Sequence, residues 1–189
     1  LNINVLENSY LEIYTFDLSN NDLVTDKTIN LVGENASYKG YEYLPSINNT
    51  IKGNFIVNHS NKHTTADSKF IYLAKSNGYI NRDAASVIKK GMTESTSNEN
   101  IKGIIFDSNS RIDAKPVLKI DFDDVSATHG CAIGTIDANE IYYLMSRGLT
   151  RSDALKIISK SLIAPILKAS LNLEYKEIVE PLLLGTIGE

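Results

Sequence analysis

Cysteine is nearly absent: Cys131 is the only one in 189 residues. An internal disulfide is thereby excluded. A cytoplasmic protein is expected, although a secreted protein without disulfides would read the same way. Positive charge is not in excess either. The net charge is -4 and the sequence pI is near 5.4, so the basic stripe of a dedicated nucleic-acid binder is missing. No run approaches the roughly 20 apolar residues of a membrane span, and no membrane association is expected. Leu1 to Leu6 lack the basic start and long apolar stretch of a secretory signal. There is no Gly-x-Ser-x-Gly elbow and no glycine-rich phosphate loop. Gly33, Gly40 and Gly53 stand alone, so the common signs of serine-nucleophile and nucleotide chemistry are lacking. Position 1 is not methionine, and the chain is expected to be a fragment of a longer protein or a short paralogue.

What is present divides in two. From Leu1 to about Ile136, short alternating runs recur, such as Tyr10 to Phe16, Asn54 to Val57, Phe70 to Leu73 and Val117 to Phe122. Period-two alternation buries one face of a strand and exposes the other. Polar turn clusters separate the runs: Ser19 to Asp22, Gly33 to Asn35, Ser46 to Asn49, Ser76 to Gly78 and Ser108 to Ser110. Strands this short and evenly spaced fit a sandwich, a barrel or a β-solenoid. No crisp repeat chooses among them. A helical turn over Asp83 to Lys90 is a minor alternative. The richness in Asn, Ile and Lys reads as compositional background.

After Ile136 the pattern becomes helical. Asp137, with Glu140 three residues on, makes a capping signature: the carboxylate accepts from a free backbone N–H while Glu140 reaches back. Gly148 supplies the left-handed residue that ends this helix, with Arg147 at the negative end of its dipole. Thr150 and Asp153 repeat the start signal. Ala154, Leu155, Ile157, Ile158, Leu162, Ile163, Ile166 and Leu167 then form an apolar stripe at helical spacing. Pro165 is expected to kink or shorten that helix. A third helix is expected over Glu174 to Glu180, with Pro181 near its end. Most of the stripe is expected to be core between helices, with a docking face for part of it as the minor alternative.

The densest polar segment is Asp121-Phe122-Asp123-Asp124-Val125-Ser126-Ala127-Thr128-His129-Gly130-Cys131. On a strand, His129 and Cys131 point to one face, and imidazole and thiolate both bind iron or zinc. Two ligands do not close a site, and on the residues alone an inert buried cysteine beside a hydrogen-bonded histidine fits better. Asp121, Asp123 and Asp124 lack the further ligands and glycine of a calcium loop and read as a solvated strand end. His59 and His63, four apart in extended chain, stand about 13 Å apart. That is too far for one ion, and they read as surface or hydrogen-bonded histidines. His129 and Cys131, side by side on one strand, are poorly placed to act as base and nucleophile.

The ordered run Lys115-Pro116-Val117-Leu118-Lys119-Ile120-Asp121-Phe122-Asp123-Asp124-Val125, then His129-Gly130 and Gly134-Thr135-Ile136-Asp137, resembles the signature of the SufB/SufD family of iron–sulfur cluster assembly scaffolds. The stretch Glu140 to Leu149 is similar to the family's helix ending in Ser-Arg-Gly-Ile/Leu, and Asp153-Ala154 matches the start of its next helix. Val32 to Ala36, His59 to Thr65 and Ser97 to Ser108 match more loosely. The His-Gly step and the lack of other cysteines favour the SufD branch. Ala127 stands where SufD proteins can carry cysteine, and Cys131 stands where alanine is common. This leaves open which thiol, if any, is a ligand.

The resemblance implies a mainly β fold: a right-handed parallel β-helix over 1–136, then a small helical domain over 137–189. It implies a non-catalytic scaffold that binds a SufC-type ABC ATPase and a SufB-type partner or a second copy of itself. No cofactor is expected to be held stably, although a nascent iron–sulfur cluster can form at the partner junction. His129, with Cys131, is expected at that junction, His129 as a transient metal ligand. Tyr142, Tyr143, Arg147, Gly148 and Leu149 are expected to dock the ATPase, with one of the two tyrosines capping the helical core instead. Two rival readings are a metal-dependent enzyme using His129, Cys131 and Asp123, and a β-solenoid binding module.

Overall fold

The computed structural model describes residues 1–169 and 173–185. The strands are β1 (Asn2–Val5), β2 (Tyr10–Phe16), β3 (Leu23–Val24), β4 (Lys27–Leu31), β5 (Ser37–Ile47), β6 (Thr50–His59), β7 (Thr65–Lys75), β8 (Tyr79–Ile88), β9 (Ser95–Ile105), β10 (Arg111–Ile120) and β11 (Val125–Thr135). Three helices follow: α1 (Ala138–Ser146), α2 (Arg151–Ala169) and α3 (Leu173–Gly185).

Every strand pairing is parallel. One sheet runs β1-β4-β6-β8-β10, with β3 beside β6, and the other runs β11-β9-β7-β5-β2. The chain alternates between the two sheets, so the fold is a two-sided β-solenoid. Successive coils are offset by between 26 residues (Asn2 opposite Thr28) and 32 (Tyr79 opposite Arg111). Because the offset varies, the repeat leaves no fixed period in the sequence. Tyr79–Ile88 is extended, so the helical turn considered near Asp83 does not form.

Alternation places Ile29, Ile51, Phe55, Val57 and Ile80 of one sheet against Tyr38, Leu44, Phe70, Tyr72 and Ile101 of the other. Phe70 packs edge-on against Phe55, with ring centroids 5.0 Å apart. The outer face of the second sheet is covered as well. Tyr41, Tyr43, Ile71 and Leu73 pack against Ile163 and Ile166 of α2 and Leu183 of α3. That explains why β5 is buried almost throughout.

Asparagine has a structural use that its abundance alone does not reveal. The Asn30 side-chain amide donates to Asn2 and Asn4, and Asn58 donates to Asn30, forming a ladder up the outer face of the first sheet. Asn35 and Asn48 take left-handed turn conformations, which asparagine tolerates better than most residues.

A charged cluster lies inside the solenoid. Arg82 donates through Nε and Nη2 to the two oxygens of Glu42, at 2.9 and 3.1 Å, and Lys27 reaches Glu42 at 3.1 Å. Lys27 also donates to Thr15, and Arg82 to the Thr25 carbonyl. Gly53 makes room for this: a Cβ there would collide with the Thr25 carbonyl and crowd Arg82. Burial alone would raise the Glu42 carboxyl, but Arg82 and Lys27 outweigh it and hold the group below its ordinary range.

Removing one member of a buried ion cluster strands the others without water or counter-charge. Glu42→Ala is expected to cost about 3–5 kcal/mol of folding stability, read as a lowered urea midpoint with an unchanged slope. A loss within experimental error would show the cluster to be hydrated.

Candidate functional site

β10 and β11 end their sheets, so the last coil has no neighbour beyond it. Inward positions on this coil are set by register. His129 stands opposite Glu99 and Cys131 opposite Ile101, both buried inward residues of β9. His129 and Cys131 therefore share the inner face of β11, where the missing coil leaves them exposed. The Cys131 thiol lies 3.9 Å from the Ala114 carbonyl of β10, across the gap between sheets. Partial desolvation raises its pKa, so the protonated thiol is the resting form. Beside it, a cleft of about 550 Å³ runs along β10, lined by Arg111, Asp113, Ala114, Lys115 and Ile133.

Beneath this open end the interior is polar. Ser86 donates to Glu99 at 2.7 Å and lies 2.7 Å from Ser97. The second Glu99 oxygen and the hydroxyl of Ser68, its register partner on β7, have no protein hydrogen-bond partner. Lower in the stack, His59 Nδ1 pairs with Thr64 at 2.8 Å, while its Nε2 is buried without a protein partner. Burial pushes the Glu99 carboxyl up to about 7, against a lowering bond from Ser86, and pushes the His59 imidazole down to about 4. The sequence concealed this row because inward Ser95, Ser97 and Glu99 alternate with outward Thr96, Asn98 and Asn100. Polar residues occupy both faces, so the burial pattern has no signature.

The two upstream histidines do not share a face. β6 stops at His59, which is buried, while His63 sits in the following turn with φ of 57°. There it lies 3.7 Å from Glu34 and 3.4 Å from Glu94. Asp121, Asp123 and Asp124 fall between β10 and β11. Among the described residues no three His, Cys, Asp or Glu side chains gather as a metal group, so His129, Cys131 and Asp123 do not form one within a single chain.

The second expected cluster lies on the helices. Asp137 caps α1 by accepting from the Asn139 N–H at 2.8 Å. Gly148 follows the helix with φ of 93°. Thr150 and Asp153 form the reciprocal cap of α2, with Asp153 N–H donating to Thr150 and the Thr150 hydroxyl to Asp153. α1 buries no residue. Tyr142 and Tyr143 are 75% and 57% exposed, so neither caps a helical core, contrary to the expectation for one of them. The Arg147 guanidinium stands 5.3 Å from the Tyr143 ring centre, and Leu149 is half-buried. α2 continues through Pro165 to Ala169, and α3 through Pro181 to Gly185. Pro165 thus stands inside α2, and α3 runs past Pro181 instead of stopping at Glu180. In the apolar stripe, Ala154, Ile158, Ile163 and Ile166 are buried but Ile157 is exposed. No helix is long and apolar enough to cross a membrane among the described residues.

A family profile described as "SUF system FeS cluster assembly, SufBD core domain" matches residues 1–162. This chain belongs to the SufB/SufD family. It is 26% identical over 162 residues to the iron–sulfur cluster assembly protein SufD of Bacillus subtilis, covering 79% of this chain and 34% of that protein. It is 34% identical over 93 residues to SufD of Escherichia coli, covering 49% of this chain and 21% of that protein. A SufBD family protein of Archaeoglobus fulgidus is 40% identical over 81 residues, covering 43% and 20% of the two chains. The chain thus spans about a third or less of these relatives, and its likeness is to the SufD side of the family.

The interior titratable pair predicts an unusual pH response. Glu99, with its folded pKa above the unfolded one, favours folding at low pH, and that contribution is lost as pH rises from about 4.5 to 7. His59, with its folded pKa below the unfolded one, loses stability as pH falls from about 6.5 to 4. Each shift is worth about 3 kcal/mol, so the two offset each other near pH 5 to 6. Glu99→Gln is expected to expose the His59 response: stability by denaturant titration should rise by up to about 3 kcal/mol from pH 4 to 6.5. A variant as flat as wild type would refute the assignment.

Proposed function

We propose that this chain is a non-catalytic, cytoplasmic scaffold of iron–sulfur cluster assembly. On this reading its open solenoid end pairs with a SufB-type partner or a second copy, and its helices bind a SufC-type ABC ATPase. The observation that carries the proposal is the bare last coil. β10 and β11 offer unpaired backbone groups, and such an edge is a template for another chain's strand. His129 and Cys131 stand at that edge, so a partner would enclose them. A nascent cluster is cargo at this junction, touched by His129 and possessed by neither chain alone.

The helices support the second part. α1 presents Tyr142, Tyr143 and Met145 to solvent beside Arg147, and aromatic side chains next to arginine are frequent interface anchors. Gly148 and Leu149 fix the turn that orients this face.

Co-purification with the SufC-type ATPase of the same organism tests the reading. Wild type is expected to form a stable complex. Tyr143→Ala and Arg147→Glu are each expected to weaken it by about tenfold or more, with unchanged circular dichroism. No complex with folded wild-type chain would remove the ATPase-docking role.

A further inference from the structure

His129 and Cys131 share a face but stand over different chemistry. Down the inner face of β9 run Ser95, Ser97, Glu99, Ile101 and Gly103, and the register sets them under Val125, Ala127, His129, Cys131 and Ile133 of β11. The carboxylate of that row lies under the imidazole, while Cys131 lies over a hydrocarbon side chain. We propose that Glu99 is a positioning residue for His129: its free carboxylate oxygen accepts a hydrogen bond from one ring nitrogen, so that the other keeps its lone pair and is turned out of the solenoid toward a metal ion. The metal-binding part rests on the reading of His129 as a ligand at the open end, and the hydrogen bond does not.

Glu99 is braced on one side and unused on the other. It is 2% exposed. Its Oε1 accepts from the Ser86 hydroxyl of β8 at 2.7 Å, and that hydroxyl lies 2.7 Å from Ser97. Ser86 comes from the opposite sheet, so the brace holds the carboxylate across the interior. Oε2 is buried and has no protein partner. A buried acceptor left unpaired costs free energy, which favours any donor within reach. Along the inward column the neighbours of Glu99 are Ser68 one coil below and His129 one coil above. Ser68 is itself buried and its hydroxyl makes no hydrogen bond, so it does not supply the donor.

His129 can. Inward residues of adjacent coils stand about 4.8 Å apart at the backbone, and glutamate and histidine side chains reach comparable distances from it. The ring stands short of Oε2 in the structure, but it is exposed at the open end, and no coil above hinders a change of rotamer. A neutral imidazole carries one N–H and one lone pair, and the partner of the N–H decides which nitrogen is left for a metal. Ligating histidines commonly give that N–H to a carboxylate or carbonyl, which fixes the ring and raises its basicity. Here stacking supplies the carboxylate from beneath. Cys131 has no such brace: Ile101 lies under it, and the Ala114 carbonyl is 3.9 Å away. His129 is thus the oriented donor of the two.

The test uses the full chain with isotope-labelled histidine. Long-range nitrogen–proton correlation spectra read the tautomer directly, and loss of signals in His129→Ala assigns them. At about pH 8, where an ordinary imidazole is neutral, His129 of wild type is expected as a single tautomer. Glu99→Leu should give averaged nitrogen shifts. Glu99→Gln keeps an acceptor oxygen and should restore the single tautomer, and Ser68→Ala should leave it unchanged. Cobalt(II) affinity, taken as the part that His129→Ala removes, should fall about 10–100-fold in Glu99→Leu and much less in Glu99→Gln. If Glu99→Leu does not fold, Glu99→Asp withdraws the carboxylate by a methylene and should give the same averaging. Averaged shifts in wild type, or a single tautomer that survives loss of the Glu99 carboxylate in a chain with native circular dichroism, overturns the hydrogen bond. Averaging in Ser68→Ala equal to that in Glu99→Leu overturns the direct contact. A single tautomer with cobalt binding unchanged by His129→Ala leaves the hydrogen bond standing and overturns the reading of His129 as a ligand.

Discussion

A parallel strand must find hydrogen-bond partners on both edges, and this solenoid satisfies that need only by adding another coil. Every strand between the first and last coils has a neighbour above and below. The last coil has a neighbour on one side only. That constraint sets the chemistry: residues that would be core in any other coil become an exposed, inward-looking surface at the end. His129 and Cys131 occupy positions equivalent to buried Glu99 and Ile101 one coil below. The candidate site is a core position left uncovered at the end of the stack.

Stacking in register also dictates what the core must tolerate. Any inward polar residue lies about 4.8 Å from its equivalents in neighbouring coils, so polar groups either meet one another or stay unpaired. Lys27, Glu42 and Arg82 meet and neutralise one another in part. Glu99, Ser68 and His59 do not fully do so, and burial displaces the titration of Glu99 and His59. Ser68 and Phe70 share β7, and His59 and Phe55 share β6, so the polar row and the aromatic interior run side by side through the same coils, at different positions along the strands.

The surfaces divide in the same manner. The outer face of the second sheet is covered by α2 and α3, which fix the helices to the solenoid through Tyr41, Tyr43 and Ile163. The outer face of the first sheet carries an asparagine ladder. Among the described residues, the edges of β1 and β2 at one end of the stack, those of β10 and β11 at the other and the aromatic face of α1 remain uncovered. A partner can gain contact at such places without displacing anything already packed.

Alternation, turn chemistry and capping residues determined locally that strands would run to Thr135 and that helices would follow from Asp137 and Thr150. The same-face placement of His129 and Cys131 was legible too, since it follows from a period of two. The end of the third helix near Pro181 was misjudged, because packing of Leu183 on the solenoid holds helix past that proline, to Gly185. Glu99 was not legible as an interior residue, because its neighbours Asn98 and Asn100 are polar as well, and Glu42 was not, because Tyr41 and Tyr43 beside it are the apolar face, buried under the helices instead of inside the solenoid. The variable coil length hid the repeat for a similar reason: register belongs to the pairing of distant segments. The sequence by itself determined which residues share a strand face. Only the tertiary structure decided which face is buried, which coil is last, and so which histidine stands exposed at the open end and which is core.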